Sequence, residues 1–195
     1  LSAQPVKSML DNNGHLVVGF SATVDSIDQE DFAIAKFDTS SGFLDWHFEL
    51  PDGGSVSNSL SEILTSLTID ASNNIYGVGT ATNSSAGIFK NYFFKVDETG
   101  NLDYRMESSY SGINSNNLSL QLDNVGNLYT LGFTGSQPVI EKRESSSGNL
   151  IWSEEVTKDT AVLSNVGFSL IGNSIYAVNN YTYFNPDTSF AGGYW

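Results

Sequence analysis

Two short hairpin signatures recur in the same order along this chain, at intervals of roughly 50 residues, and no other feature narrows its fold as far. In the first, Asp11, Asp70 and Asp123 each stand five residues before an aliphatic residue, Leu16, Ile75 and Leu128, with Gly14, Asn73 and Gly126 inside the turn. In the second, Lys36, Lys95 and Lys142 each precede an acid by two residues, Asp38, Asp97 and Glu144. A glycine follows at Gly42, Gly100 and Gly148, and four residues beyond each glycine sits a large aromatic: Trp46, Tyr104 and Trp152.

The middle copy is the fullest. Its apolar residues alternate in short runs over 67–69, 75–80, 92–96 and 102–106, the period-2 pattern of half-buried strands. The first two runs are separated by Asp70 to Asn74 and the last two by Asp97 to Asn101, both rich in residues that accept positive φ or bond back to their own backbone. Each pair is therefore a tight hairpin. The middle connection, 81–91, is longer and polar, so the copy reads as a four-stranded antiparallel meander. A fourth copy begins near Phe168, lacks the aspartate, and reaches Trp195 as its third strand is due to start at about Gly193.

These residues resemble the bacterial seven-bladed β-propeller repeat family, with its D-x-x-G-N-x-Y-x-x-G followed by K-x-D-x-x-G-x-x-x-W. They resemble more distantly the tryptophan-docked blades of quinoprotein propellers. The match is best over Asp123 to Gly132 and over Lys95 to Tyr104, and it extends over nearly the whole chain. The resemblance implies an all-β fold: a β-propeller of four-stranded antiparallel blades, with about three and a half present as an incomplete ring or fragment. The blades fall at about 6–50, 66–107, 119–156 and 166–195, the last incomplete, in one partial propeller domain. It implies no particular activity, because propellers carry enzymes, lectins and scaffolds alike.

Composition sets limits. A chain of 195 residues with 39% hydrophobic and 12% aromatic content is long and apolar enough for a real core. A net charge of -14 disfavours nucleic acid as a partner, since phosphate binding wants a cationic face, and suits a solvated extracellular surface. Cysteine is absent, which removes disulfides, thiolate nucleophiles and cysteine metal sites together. No apolar run is long enough to cross a bilayer as a helix, and the missing initiator Met and basic leader read as a fragment or a processed chain.

Few residues suggest chemistry, and each has a plain structural alternative. Asp25, Asp28, Glu30 and Asp31 form the densest acidic cluster and make calcium the candidate cofactor, because hard cations want several carboxylate oxygens. The spacing fits no EF-hand, and a solvated acidic loop explains it equally. Sequons at Asn83, Asn117 and Asn180 are glycosylation candidates, at a frequency that chance supplies in so Asn- and Ser-rich a chain. Trp46, Tyr104 and Trp152 read as rings packed between neighbouring blades rather than as ligand platforms, because they recur in every full copy. The lysines read as strand-neighbour partners for the same reason. His15 and His47 lack a triad or metal partner at ligand spacing, and Ser61 to Leu64 reads as a helical turn inside a polar inter-blade loop. The ring-rich tail from Tyr181 to Trp195 reads as buried, with sugar stacking or a protein interface as the alternative.

The expected function is a non-catalytic binding or structural module of an extracellular or surface protein, presenting loops to a protein or glycan partner. Further blades of the same protein would cover the open fourth blade. The alternative is a polysaccharide hydrolase or lyase with paired carboxylates in the propeller mouth.

Overall fold

A computed structural model describes residues 3–23, 30–50, 61–83, 87–108, 119–134, 137–155, 162–171, 174–183 and 191–193. Every described element is a strand. The chain divides into two compact units, Leu1–Ser109 and Tyr110–Trp195.

In the first unit, β1 (Ala3–Leu10), β2 (Leu16–Thr23), β3 (Glu30–Phe37) and β4 (Leu44–Glu49) form sheet 1 in chain order. Sheet 2 is built the same way from β5 (Ser61–Ile69), β6 (Ile75–Asn83), β7 (Ile88–Val96) and β8 (Leu102–Glu107). In the second unit, β9 (Ser119–Leu122), β10 (Asn127–Thr134), β11 (Gln137–Glu144) and β12 (Leu150–Glu155) make sheet 3. Sheet 4 has β13 (Val162–Ile171), β14 (Ser174–Tyr183) and the short β15 (Ala191–Gly193). All pairings are antiparallel.

The repeat extends to irregularities of register. Every full sheet skips one residue between its third and fourth strands, at Asp45, Asp103 and Ile151, immediately before the recurring aromatic. Sheets 1, 2 and 4 also shift register between first and second strands, next to Gly19, Val78 and Val178. Such bulges sharpen local twist, so copies that share them share their curvature.

Sheets 1 and 2 pack face to face. Val17, Phe32, Ile34, Phe48 and Leu50 from sheet 1 meet Leu64, Leu67, Ile75, Phe94 and Val96 from sheet 2 in one buried cluster. Phe94 stands 5.9 Å from Phe32 and 6.2 Å from Phe48 between ring centroids. Gly19 lets β5 close in, because a Cβ there would overlap the side chains of Leu64 and Leu67. Polar contacts pin the same seam: the Leu64 N–H donates to Ser21 Oγ at 3.1 Å, and Lys7 Nζ to the Leu67 carbonyl at 2.7 Å. In the second unit, Tyr129, Leu131 and Ile140 of sheet 3 gather with Phe168, Leu170 and Ile175 of sheet 4. Gln121 clamps β13 there from both sides, donating to the Phe168 carbonyl and accepting from the Leu170 N–H.

Two expectations need correction. Ser61 to Leu64 is no helical turn but the start of β5, paired with β6 over Gly79 to Thr82. Its Glu62, Leu64, Ser66 alternation is buried, and that tertiary burial overrides a local spacing that also suits a helix. Sheet 4 already has a third strand at Ala191, opposite Tyr183, ahead of the expected start at Gly193. Backbone pairing draws the chain into the sheet before its aromatic pattern begins. Of the tail rings, Tyr181 and Tyr183 lie on β14, while Phe184, Phe190, Tyr194 and Trp195 lie outside the described residues.

Trp46 sits at the seam between sheets 1 and 2. Its indole N–H donates to the Glu98 carbonyl at 3.1 Å, and its ring covers Gly100, where a Cβ would lie 2.9 Å away. Trp46→Ala should therefore lower unfolding stability by about 3 kcal/mol, within the range for truncating a packed aromatic. Gly100→Val should destabilise comparably, since it both fills the seat and strains a φ of 91°. Urea titration of both variants checks this, and a loss confined to Gly100→Val would show that backbone strain, not the indole, matters.

Candidate binding surface

Antiparallel meanders put the tight turns of each sheet at one end and its longer connections at the other. At the tight-turn end, the aspartates found by sequence do one job three times. Asp11 Oδ1 accepts from the N–H groups of Asn13 and His15, Asp70 Oδ1 from Ser72 and Asn74, and Asp123 Oδ1 from Val125 and Asn127, all between 2.8 and 3.0 Å. Main-chain bonds Gly14→Asp11, Asn73→Asp70 and Gly126→Asp123 close the same turn, with a left-handed residue third after the acid. Asn73, at φ 64°, is the one non-glycine in that conformation among the described residues. Its Oδ1 accepts from both the backbone and side-chain N–H groups of Asn12 at 2.9 and 2.8 Å, tying the first turn of sheet 2 to that of sheet 1.

The second carboxylate oxygen differs from copy to copy. Asp11 Oδ2 meets Lys36 Nζ at 2.7 Å and Asp123 Oδ2 meets Lys142 at 3.8 Å, so in both the lysine reaches across the second strand to the turn. In sheet 2 the Tyr76 hydroxyl donates to Asp70 Oδ2 at 3.0 Å instead, and Lys95 turns to Asp103 at 2.6 Å. Burial works against the Asp11 carboxylate, but Lys36 and the His15 and Asn13 N–H groups outweigh it and hold its pKa below the usual value.

The outer turns carry a second set of carboxylate anchors. Asp38 Oδ1 accepts from the Ser40 N–H and hydroxyl at 2.7 Å, and Asp97 Oδ1 from the Thr99 hydroxyl at 2.7 Å and the Thr99 and Asn101 N–H groups at 2.9 Å. The Ser40 bonds draw Asp38 down to about 2. At Asp97 desolvation opposes, and the Asn101 and Thr99 donors together outweigh it and bring it to about 2.

Tyr104 stands edge-on to Phe93 at 6.2 Å, and Trp152 edge-on to Tyr129 at 6.0 Å. Trp152 remains 37% exposed, so its ring is less enclosed than the repeat predicts. Three charged pairs have no signature in the sequence pattern. His15 Nδ1 lies 3.0 Å from Asp45 Oδ2 at the tight-turn end of sheet 1. Arg143 bonds Glu141 through Nε and Nη2 and donates to the Gly148 carbonyl, inside sheet 3. Arg105 lies over the Tyr92 ring, 4.1 Å from its centroid, and pairs with the fully buried Glu62. None of these partners is close in sequence pattern, apart from Glu141 and Arg143, which alternate onto one face of β11.

At the other end, the connections between second and third strands vary, from two residues (135–136) through 84–87 and 24–29 to seven (184–190). Toward that end of sheet 2 stand the Arg105–Glu62 pair and a second pair, Lys90 to Glu107 at 2.8 Å. Of the acidic cluster, Glu30 and Asp31 begin β3, while Asp25 and Asp28 lie outside the described residues. Among the described residues no group of three or more His, Cys, Asp or Glu is placed to hold a metal. Asn83 ends β6 and Asn180 lies on β14, and Asn117 falls outside the described residues.

Two tests address the turns. Both Asp38 and Asp97 have folded pKa values below their unfolded ones, so their contribution is present above about pH 4 and is lost as pH falls toward about 2. Asp38→Asn/Asp97→Asn should flatten the acid limb of a melting-temperature profile in that window and leave the neutral limb parallel to wild type. For the inter-sheet contact, Asn12→Ala and Asn73→Gly should each cost about 1 kcal/mol, and the double variant less than their sum, because the bond from the Asn12 side chain to Asn73 Oδ1 is lost in both. Additive losses in urea unfolding would contradict that coupling.

No protein-family model matches this chain, and no curated protein matches it. Solved structures do. The β-propeller domain of the Trilobed protease from Pyrococcus furiosus, described as having an open velcro topology, aligns with a TM-score of 0.56 at 10% identity, covering 99% of this chain and 57% of that one. A Bacteroides caccae protein of unknown function aligns with a TM-score of 0.54 at 11% identity, covering 97% and 60%. A weaker likeness to polysaccharide lyase Uly1, TM-score 0.40 at 7% identity over 91% and 54%, carries no weight here. The chain thus spans about three-fifths of the length of the first two structures. At such identities the likeness shows the fold alone: this is a β-propeller fold of four-stranded blades.

Proposed function

We propose that this chain is a non-catalytic binding module of an extracellular or surface protein, built from repeats of the bacterial seven-bladed propeller type. It presents its variable connections to a protein or glycan partner. One observation carries the reading. The recurring polar residues are engaged in the scaffold, the aspartates in turns and the lysines in ion pairs, whereas the connections that change most in length, from two residues to seven, are gathered at the opposite end of each sheet. A constant frame with variable connections at one end is the arrangement by which rigid folds diversify recognition. The charge of -14 and the exposed Glu49, Glu107, Glu154 and Glu155 at the connection ends of their sheets suit a neutral glycan or a basic protein surface.

A glycan array probed with the wild-type chain, and with a variant whose 24–29 connection is replaced by Gly-Ser as at 135–136, tests this reading. Binding is expected for the wild type and lost in the variant at unchanged melting temperature. Turnover of a bound polysaccharide, seen as new reducing ends or unsaturated products, would replace the reading with an enzymatic one.

A further inference from the structure

The first inner hairpin differs from its two counterparts at the tip. Asp11, Asp70 and Asp123 close the same turn, but the second and third residues after the acid are Asn13–Gly14 in sheet 1, Ser72–Asn73 in sheet 2 and Val125–Gly126 in sheet 3. Asn13–Gly14 is the one Asn-Gly step in the sequence. An asparagine side chain can close a five-membered ring onto the backbone nitrogen of the next residue, and a Cβ on that residue shields the nitrogen. Glycine removes the shield. Asn13 is exposed, and nothing stands within 4 Å of the Cβ position of Gly14, so the approach to its nitrogen is open.

Other turn asparagines are held away from such a reaction. Asn12 Nδ2 donates to the Asp70 carbonyl and to Asn73 Oδ1, Asn74 and Asn127 Nδ2 each donate to the second oxygen of their turn aspartate at 2.7 Å, and Asn101 Nδ2 donates to Asp97. Asn13 is tied through its backbone N–H, to Asp11 Oδ1 at 2.9 Å, and its side-chain amide has no partner among the described residues. The Gly14 N–H donates to the Asp11 carbonyl at 3.0 Å, a single bond at an exposed hairpin tip, where the backbone opens at little cost.

We propose that Asn13 is a site of spontaneous covalent modification, where the side-chain amide is lost to attack by the Gly14 nitrogen and the first hairpin acquires an isoaspartate. The Gly14 nitrogen gives its proton to solvent base and attacks Asn13 Cγ; the Cγ–Nδ2 bond breaks and ammonia leaves. Water then opens the resulting succinimide. Attack at the main-chain carbonyl leaves the chain running through Cγ as isoaspartate, and attack at Cγ leaves ordinary aspartate. Isoaspartate lengthens the main chain by one methylene between the Asn13 and His15 N–H groups, which Asp11 Oδ1 holds together at 2.9 and 2.8 Å. One carboxylate oxygen cannot then keep both. The turn that sets β1 against β2 loosens, and with it the tie from Asn12 to Asn73. The site lies at the tight-turn end, away from the connections, and stands or falls separately from the binding role proposed above.

The test follows the full chain through incubation in mildly alkaline buffer at physiological temperature. Trypsin releases residues 8–36 as one fragment, by cuts after Lys7 and Lys36. Sequencing that fragment by mass should place an amide-to-acid gain on Asn13, accumulating severalfold faster than on any other asparagine, with isoaspartate the larger product by methyltransferase labelling. A fraction of the aged chain equal to the isoaspartate share should unfold at lower urea than the rest. Asn13→Ser, the residue of the matching turn in sheet 2, should keep the midpoint of the fresh chain and abolish the low-urea fraction on ageing. Freshly purified Asn13→Asp, which carries the charge without the extra methylene, should unfold with fresh wild type. Asn13 left intact in the folded chain while the urea-unfolded chain converts would show that the closed turn protects it and overturn the proposal. Conversion without a low-urea fraction, or a low-urea fraction that persists in Asn13→Ser, overturns it as well.

Discussion

One carboxylate at the head of each of the first three inner hairpins fixes the rest. Asp11, Asp70 and Asp123 each hold two backbone N–H groups, and by closing the turn at a set length they set the register of first strand against second. Because side chains alternate across a strand, a slip of one residue would turn every apolar side chain to the wrong face. The opposed rows of Leu10 with Leu16, Ile69 with Ile75 and Leu122 with Leu128 follow directly from these turns. So does the core between sheets 1 and 2.

The copies are not interchangeable, and their differences have local causes. Sheet 2 replaces the turn glycine with Asn73, whose side chain accepts two bonds from Asn12, so the cost of a left-handed asparagine is offset by a contact that glycine cannot make. The same sheet carries a tyrosine at position 76 where sheet 1 has Val17. Its hydroxyl takes the place on Asp70 that lysine takes on Asp11, and Lys95 is released to Asp103. Sheet 3 keeps both a tyrosine at 129 and the lysine bridge, though at a looser 3.8 Å. The device tolerates variation because any donor able to reach the second oxygen serves.

Such a frame separates stability from recognition. The turns, the lysine bridges and the seam at Trp46 occupy the tight-turn end and the flat sides of the sheets, leaving the connections free to change length without disturbing register. The buried Arg105–Glu62 pair is the exception near the connection end. Pairs of this kind stabilise little by themselves, since desolvation consumes much of their attraction, but they resist being pulled apart.

The sequence by itself determined the strand repeat, the two hairpins, their anchoring acids and the aromatic after each outer turn, because turns and alternation are set by residues within a few positions of one another. It misread Ser61 to Leu64 and placed the last strand too late, since short spacings that suit a helix and a strand alike are decided by what packs on them. It also paired every lysine alike and left His15, Glu62 and Arg143 without partners. Only the tertiary structure decided that Lys95 turns away, that Trp46 is enclosed while Trp152 is more open, and that Ile69 packs against the core where its counterpart Leu10 is bare. These depend on which sheet lies alongside, and a local repeat carries no record of its neighbour.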